Sequence, residues 1–518
     1  MLLWCVFRRF MGNGGSAINV FLKSVRKYPN NEALVYTPTD KRYTYKELDE
    51  EINKAAHWLF SHDIKQGQVI SIMLDNSPEF IIFWLAAMKL GVVTSCINTT
   101  LKSMSILQSI ETVTPSIIIF HAKYRPEFKT VVSQSDPSLK FFEFPDGTTP
   151  TRDPTFHQVN FSNQPKTPPP VSWVDSVKVD DIALLIYTSG TTGNPKPAIL
   201  TNAKISGGSV LLNIVDLKES DRLYCSLPLY HSSPAVLGWG SCFSRGATLI
   251  LAPKFSASRF IPDCIAHKAT AILYIGELCR FLCNTPPSPQ DRQHNIRVAV
   301  GNGMRPTFGR DSWIGLGFRK CLSFTEVAKG MRTCSIIGNV GRRGLGLLGN
   351  LGPLRGEDGF CKPCKVGEVG ELVSVIDDKS LTKAFKGYYK DRVGSEKKVL
   401  KDVFRKGDKY FRTGDTVWKD ADGFVYFSDR IGDTFRWKGE NVSTLQVAGV
   451  IHAFPGVLEA NVYVHTGTLK QKKVEYRNQG FNHSLVNGDV LFWMKPGTNS
   501  YVLFTEQERI SVIANGLN

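Results

Sequence analysis

The amino-terminal sequence lacks a continuous apolar stretch long enough to cross a membrane. A spanning helix needs about 20 apolar residues, whereas the opening MLLWCVFRRF is interrupted at Arg8 and Arg9. A secretory signal peptide is not predicted, because its charges would precede a longer apolar region. We interpret residues 1–17 as an apolar and basic lead. Two alternatives stay open for it: an anchor in the membrane interface, or the remnant of a longer hydrophobic segment.

The sequence also lacks any compact run of lysine and arginine. Its 63 basic residues against 47 acidic ones give a net charge of +16, but the positive charges are scattered along 518 residues. Scattered charge argues against a nucleic-acid partner and favours a membrane surface or an anionic small molecule. With 42% hydrophobic and 21% charged residues, the chain is expected to be globular and long enough for two or more domains.

Cysteine usage offers little support for a disulfide framework or a zinc site. The number of cysteines is 11, which is odd, and the pair Cys361–Cys364 has no second CxxC or histidine pair nearby. Free thiols in a reducing compartment are therefore the preferred interpretation. A literal GxGxxG at 344–349 is rejected as a dinucleotide site, because Gly352 and Pro353 follow where its helix would run.

Strands and helices are predicted to alternate, which is typical of an α/β fold with parallel strands. Residues 44–60 form an amphipathic helix with a Thr44/Glu47 capping box, and a second helix begins after Ser77 with Pro78 at its first position. Residues 144–172, rich in proline and turn residues, are predicted to be a surface connection. Buried strands are predicted at 69–74, 92–97, 117–120, 181–186, 247–251, 271–274 and 297–300.

The segment YTSGTTGNPK, residues 187–196, follows one of these strands directly. Glycines allow the backbone to approach a ligand closely, successive N–H groups form an anion-binding concavity, and Lys196 adds a positive charge. The spacing is not that of a Walker A loop. The segment predicts a phosphate-binding loop, and the alternative is a solvated Ser/Thr/Gly linker.

This segment resembles the signature of the adenylate-forming enzymes, which include acyl-CoA synthetases, luciferases and amino-acid adenylation domains. FRTGD at 411–415 and the residues around 429–433 are similar to further motifs of that superfamily, in the same order. The stretches YIGELCRFL, VGNGMRP, DTFRWKGENVST and TGTLKQKKV resemble the very-long-chain acyl-CoA synthetase and fatty acid transport protein group. The resemblance covers nearly the whole chain from about residue 18 onward.

The resemblance implies a large multi-subdomain AMP-binding domain at 18–431 and a small α+β domain at 432–518. It implies ATP, Mg²⁺ and CoA as cofactor and co-substrates, and a long- or very-long-chain fatty acid as substrate. Lys196, Lys470 and Glu326 are the implied catalytic residues, with Glu326 as the Mg²⁺ ligand. His231 is implied for the acyl pocket, and Gly432, Lys438 and Gly439 for the hinge and the CoA path. The implied nucleotide-binding residues are Thr188, Ser189, Gly190, Thr191, Thr192, Gly193, Lys196, Gly301, Asn302, Gly303, Thr325, Asp415 and Arg430.

Two stretches depart from the pattern of this group. Residues 322–330 read LSFTEVAKG where the superfamily has glycines on both sides of Thr-Glu, and the region before Thr466 is shortened. The small domain is therefore expected to be truncated, and adenylation to suffer first because Lys470 would be misplaced. The sequence predicts a membrane-associated acyl-CoA ligase facing the cytoplasm at the endoplasmic reticulum, peroxisome or plasma membrane. The alternatives are a fatty acid transport or binding protein, or a catalytically impaired member of the family.

Overall fold

The computed structural model describes most of the first 430 residues and short stretches beyond them. The described residues are 16–145, 153–189, 195–209, 212, 215–302, 321–323, 334–337, 353–380, 385–421, 425–430, 434–437, 440–443, 492–494, 501–503 and 505–507. The chain divides into two compact units between Ser428 and Asp429, and residues 189–194 group with the second unit. The predicted hinge at Gly432 lies outside the described residues, so the predicted domain boundary stays a prediction.

Helices and strands alternate through the first unit, as the sequence predicted. The helices are α1 Ala17–Lys27, α2 Tyr45–Ser61, α3 Pro78–Lys89, α4 Ser103–Val113, α5 Arg125–Val132, α6 Val171–Asp175, α7 Asn202–Ser209, α8 Gly240–Arg245, α9 Ala257–Ala266, α10 Gly276–Cys283 and α11 Arg392–Glu396. A π-helical stretch, Ser233–Trp239, precedes α8, and short 3₁₀ turns lie at Ala122–Tyr124 and Pro289–Arg292.

Most strands of the first unit belong to two seven-stranded sheets. These strands are β1 Glu32–Tyr36, β2 Lys41–Thr44, β3 Val69–Met73, β4 Val93–Cys96, β5 Ile117–His121, β6 Lys140–Phe144, β7 His157–Gln158, β8 Ile182–Ser189, β9 Pro195–Thr201, β10 Arg222–Cys225, β11 Thr248–Leu251, β12 Ala271–Ile275, β13 Val298–Asn302 and β14 Cys321–Ser323. One sheet has the order β14-β13-β12-β10-β11-β1-β2, and the other has the order β7-β6-β5-β3-β4-β8-β9. From β14 to β1, and from β7 to β8, neighbouring strands run parallel.

The core joins the two sheets through helices whose sequences explain their positions. Helix α2 begins at the predicted capping box, in which the Thr44 hydroxyl accepts from the Glu47 backbone N–H and the Glu47 carboxylate accepts from Thr44. Helix α3 is apolar on nearly every side and is buried along almost its whole length, which is typical of a helix inside a core. Its Trp84 packs edge-on against Trp239, with ring centroids 4.6 Å apart.

Later strands form smaller sheets. They are β15 Cys334–Ile337, β16 Gly370–Val375, β17 Val399–Lys401, β18 Lys409–Lys419, β19 Val425–Arg430, β20 Thr434–Trp437, β21 Glu440–Ser443, β22 Phe492–Met494 and β23 Tyr501–Leu503. Strands β15, β16, β18 and β17 are neighbours in that order, and β19 pairs with β18. In the second unit, β20 with β21 and β22 with β23 form antiparallel pairs. Apart from residues 505–507, the rest of the small domain that we expect to be truncated lies outside the described residues.

The proline-rich connection at 144–172 contributes more to the core than the sequence suggested. Phe156 and Val159 are buried, and the amide of Asn53 on α2 donates to the Lys166 carbonyl at 2.8 Å. Two apolar residues among many polar ones anchor this stretch, which its composition does not reveal. In the described ranges, we find no helix with the length and apolar character needed to cross a bilayer.

Candidate nucleotide-binding site

Strands β8 and β9 place the residues that flank the predicted phosphate loop. Strand β8 ends at Ser189, β9 begins at Pro195, and the two are neighbours in the second sheet. The exposed Thr188 donates its hydroxyl to the Lys196 carbonyl at 3.3 Å, so the structure brings these two predicted residues together. The loop residues themselves lie outside the described part of the chain, and their roles stay predictions: Gly190, Thr191, Thr192 and Gly193.

Lys196 is held by a carboxylate that the sequence analysis missed. Its Nζ donates to Asp391 Oδ2 at 2.7 Å, and it lies 5.8 Å from the centroid of the Tyr388 ring. The Lys196 side chain is 19% exposed and that of Asp391 is 29% exposed. The ammonium of Lys196, and then the Gly394 backbone N–H, lower the pKa of the Asp391 carboxyl. The residues lie 195 positions apart in the chain, and no sequence pattern links them.

The segment 387–391 reaches Lys196 because it runs beside β9. The Ile199 N–H donates to the Gly387 carbonyl at 3.2 Å, and the Tyr389 N–H donates to the Pro197 carbonyl at 2.8 Å. Helix α11 begins directly after Asp391, whose Oδ1 accepts from the Gly394 N–H at 2.7 Å. The loop-flanking strand and α11 therefore share one hydrogen-bonded framework.

Strand β18 carries Asp415, one of the predicted nucleotide-binding residues. The Asp415 backbone N–H donates to the Thr413 hydroxyl at 3.0 Å, and that hydroxyl donates to the Leu372 carbonyl at 2.7 Å. Gly414 between them has φ of +80°, a backbone conformation that glycine adopts without strain. Glycine in this motif is therefore required by the backbone, and it turns the strand immediately before Asp415.

Arg412, in the same motif, forms an ion pair with a fully buried glutamate. Its Nη2 donates to Glu371 Oε2 at 2.7 Å, and its Nε lies 3.1 Å from Oε1. Glu371 has 0% side-chain exposure and Arg412 has 24%. This pair joins β16 to β18 three residues before Asp415. No sequence pattern links Arg412 to Glu371.

The strand ends that carry predicted nucleotide-binding residues lie at the carboxyl edge of the first sheet. Gly301 and Asn302 end β13, and Gly301 pairs with Ser323 at the end of β14. Ligands of parallel α/β sheets bind at this edge. A Cβ on Gly301 would lie 2.1 Å from the Tyr274 carbonyl oxygen, so close strand packing also requires glycine here. Three predicted residues that follow these strands lie outside the described part of the chain: Gly303, Thr325 and Glu326.

His231, predicted for the acyl pocket, lies exposed in the turn after β10. Its backbone N–H donates to the Pro228 carbonyl at 3.0 Å, and its ring packs against Tyr230 with centroids 4.7 Å apart. Although much of the residue is exposed, desolvation by nearby protein atoms lowers the pKa of its imidazole. This shift favours the neutral ring near pH 7.

Polar side chains form a cluster around Asp75, near Tyr230, that was not predicted from the sequence. The Tyr124 hydroxyl donates to Asp75 Oδ1 at 2.6 Å, and Lys123 forms an ion pair with the same carboxylate. Burial alone would raise the pKa of Asp75, but the interactions of its carboxylate with His121, Lys123 and Tyr124 lower that pKa well below its usual range. Asp75 therefore stays ionised at any pH near neutrality.

The remaining predicted residues contribute little to the described geometry. Arg430 ends β19, and only its backbone is described. Gly432, Lys438, Gly439 and Lys470 lie outside the described residues. Within the described ranges, no group of three histidine, cysteine, aspartate or glutamate side chains could hold a metal ion.

The fold and the site together define an α/β enzyme of the adenylate-forming type. Both seven-stranded sheets consist mostly of parallel strands. Lys196 lies on β9 of one sheet, Gly301 lies at the end of β13 in the other, and Asp415 follows later in the chain on β18. Comparison with known families matches residues 21–344 to the AMP-binding enzyme family. Because this match spans more than half of the chain, the protein belongs to the AMP-binding enzyme family.

Individual relatives and structures agree with this assignment. The chain is 35% identical to long-chain fatty acid transport protein 6 of Mus musculus, and the match covers 86% of this chain and 74% of that protein. It is 33% identical to long-chain fatty acid transport protein 2 of Rattus norvegicus, over 94% of this chain and 89% of that one. The crystal structure of the anthranilate CoA ligase AuaEII in complex with anthranoyl-AMP superposes with a TM-score of 0.68. That match covers 86% of this chain and 83% of the other at 18% identity, which shows a shared fold.

Proposed function

We propose that the protein is an ATP-dependent ligase that converts long- or very-long-chain fatty acids to acyl-CoA through an acyl-AMP intermediate. The observation that carries the proposal is the placement of Lys196 at the start of β9, beside a loop of adenylate-forming sequence. The family match from 21 to 344 includes this lysine. The names of the relatives support a fatty acid substrate, and the anthranoyl-AMP complex of a structural neighbour supports an acyl-adenylate intermediate.

The chemistry explains why such a site needs positive charge. A fatty carboxylate is anionic at pH 7 and resists attack by a thiol, so it is first joined to AMP as a mixed anhydride with release of pyrophosphate. The thiolate of CoA then attacks the carbonyl and AMP leaves. In the first step an anion approaches a triphosphate, and positively charged groups that offset this repulsion lower the barrier.

Three of the site residues that the structure describes have a proposed role in this reaction. Lys196 donates to the phosphate oxygens of ATP, because an ammonium is a compact positive charge with three hydrogen-bond donors. Asp415 accepts from the ribose hydroxyls, in a position set by the turn at Gly414. The neutral imidazole of His231 faces the acyl substrate.

Two proposed roles fall outside the described residues. Glu326 is the proposed ligand of Mg²⁺, which would neutralise part of the triphosphate charge. Lys470 is the proposed lysine of the adenylation step. The role proposed for Lys196 does not depend on Glu326 or Lys470. It can therefore be tested without them.

The direct test is incubation of the purified full chain with Mg·ATP, CoA and radiolabelled fatty acids of graded chain length. We expect both acyl-AMP and acyl-CoA, separated by thin-layer chromatography. Lys196→Ala removes charge-assisted hydrogen bonds worth about 1.5–3 kcal/mol, so we expect a loss of about 10- to 100-fold in kcat/KM. Lys386→Ala is the matched control, because this nearby lysine pairs with Asp180 at 3.3 Å on the surface. It should leave turnover unchanged.

ATP binding, acyl-AMP formation and fatty acid uptake by cells together separate the competing functions. ATP binding without acyl-AMP would indicate a catalytically impaired member of the family, for which the rewritten segment at 322–330 is the first explanation. Uptake of labelled fatty acid by cells, unchanged by Lys196→Ala, would indicate transport independent of catalysis. Absence of ATP binding by the folded protein would refute the proposal.

We also propose that the protein acts at a membrane surface. Its substrate is a lipid, and its net charge of +16 favours anionic headgroups. The endoplasmic reticulum, the peroxisome and the plasma membrane are the proposed locations, with the site facing the cytoplasm. Flotation with phosphatidylserine vesicles should carry the protein to the top of a sucrose gradient, and vesicles of phosphatidylcholine alone should carry less.

A further inference from the structure

The ion pair between Lys196 and Asp391 occupies the lysine that is proposed to bind ATP. The two charged groups approach to 2.7 Å, and both side chains are largely shielded from solvent. A polyphosphate that approaches Lys196 therefore meets a carboxylate already bound to it. The negative charge of Asp391 repels the ligand, and it also competes for the ammonium.

Asp391 is held rigidly in its position. One carboxylate oxygen accepts from the Gly394 N–H at the start of α11, and the other accepts from Lys196. The neighbouring Tyr388 is fixed by an antiparallel bridge to Ala198 on β9. The two hydrogen bonds and the neighbouring bridge thus orient the carboxylate toward Lys196.

Gly394 lies directly beside the ion pair. A Cβ there would lie 2.1 Å from Asp391 Oδ2 and 2.5 Å from Lys196 Nζ, so a larger residue at this position would force the two charged ends to shift. No positive φ requires glycine at 394, and within a helix glycine is less favourable than alanine. Glycine at this position therefore leaves room for the two charged groups to meet beside it.

We propose that Asp391 is the resting counter-ion of Lys196, which the polyphosphate of the nucleotide replaces. This proposal rests on the proposed function, because it takes Lys196 as the phosphate-binding lysine. Asp391 acts through Lys196 and is a positioning residue rather than a catalytic one. It keeps the lysine side chain in place and limits its affinity for anions until a ligand of sufficient charge arrives.

The test is the variant Asp391→Asn, studied by isothermal titration of the full chain with a non-hydrolysable ATP analogue. Asparagine caps helices as well as aspartate does, so α11 is retained while the charge is removed. We expect the variant to bind the analogue about twofold to fivefold more tightly, since a partly exposed ion pair no longer has to be broken. A purely structural role for Asp391 could weaken binding but would not tighten it.

Two controls make the result specific to the pair. Glu396→Gln removes one negative charge from the same helix, where Glu396 pairs with Arg392 at 2.9 Å, and should leave the affinity unchanged. In a Lys196→Ala background, Asp391→Asn should give a smaller gain than in the natural chain. An equal gain would mean that only general negative charge was removed, and it would overturn the proposal.

The failure of this proposal is distinguishable from failure of the proposed function. If the natural chain binds the analogue and Lys196→Ala weakens that binding, the function stands. Unchanged or weaker binding by Asp391→Asn would then overturn the counter-ion role alone. If the natural chain binds no analogue, the proposed function itself fails.

Discussion

The ion pair between Arg412 and Glu371 offers the sharpest test of how the structure supports the motif that carries Asp415. Glu371 is fully buried, and its carboxylate is contacted by both Nε and Nη2 of Arg412. The replacement Arg412→Met keeps most of the side-chain volume but leaves a buried carboxylate without its cation. Breaking a buried pair in this way typically costs 3–5 kcal/mol. Because Arg412 is itself 24% exposed, we expect the lower end, about 3 kcal/mol.

The measurement is urea unfolding of the full chain, followed by intrinsic fluorescence and circular dichroism. Lys409→Met is the matched control, because Lys409 lies on the same strand and pairs with Asp378 at 2.7 Å on the surface. Pairs of that kind contribute about 0–1 kcal/mol, so this variant should unfold close to the natural chain. Equal destabilisation by Arg412→Met and Lys409→Met would refute the reasoning.

A double variant separates two costs of Arg412→Met: the loss of the ion pair itself, and the burial of an unpaired Glu371 carboxylate. Arg412→Met combined with Glu371→Leu removes both partners and leaves an apolar pair of similar size. Replacing a buried ion pair by apolar residues is often close to neutral. We therefore expect the double variant to recover most of the stability lost by Arg412→Met alone. If it is no more stable than the single variant, the unpaired carboxylate is not the cause.

Three further predictions concern the first unit. Asp49 Oδ1 accepts from Lys89 Nζ at 2.6 Å in a nearly buried pair, so Lys89→Met leaves the Asp49 carboxylate without its cation. This variant should be less stable by about 3 kcal/mol in urea unfolding. A loss below about 1 kcal/mol would contradict this. Asp75→Asn should be less stable than the natural chain above about pH 4. Because the pKa of Asp75 is lowered in the folded protein, the stability that its carboxylate contributes is lost as the pH falls below about 4. The unfolding midpoints of the variant and the natural chain should therefore converge in acid. A constant difference between the two midpoints across pH would argue against the polar cluster around Asp75. Gly246→Ala, at φ of +79° with a Cβ only 2.3 Å from the Tyr28 ring, should lower the thermal midpoint, with a cost of about 1–3 kcal/mol. An unchanged midpoint would contradict both the backbone strain and the clash with the ring.

The sequence predicted the α/β framework well, because its helix starts and buried strands carry local signals. The helix predicted at 44–60 is observed at Tyr45–Ser61, and its Thr44/Glu47 box is present. The strand predicted at 69–74 is observed at Val69–Met73. Capping residues and apolar runs depend on neighbours a few positions away, so they can be interpreted without knowledge of the tertiary fold.

Contacts between distant segments could not be predicted in the same way. Asp391 reaches Lys196 only because 387–391 runs beside β9, and nothing near either residue indicates this pairing. The pairing of Arg412 with Glu371 depends likewise on the register of β16 and β18. The family resemblance indicated Lys196 and Asp415 through motifs, but it gave no information about the carboxylates that balance the cations around them.

The pairing of β9 with residues 387–391 has a consequence for any shortened form of the protein. Strand β9 is the last strand of its sheet, and the backbone groups of Pro197 and Ile199 are bonded by Tyr389 and Gly387. A fragment that stopped where the family match ends, at 344, would lack that covering segment. Its sheet would present an open edge to other molecules, which is the usual starting point for aggregation. A soluble fragment of this enzyme therefore has to extend past residue 391.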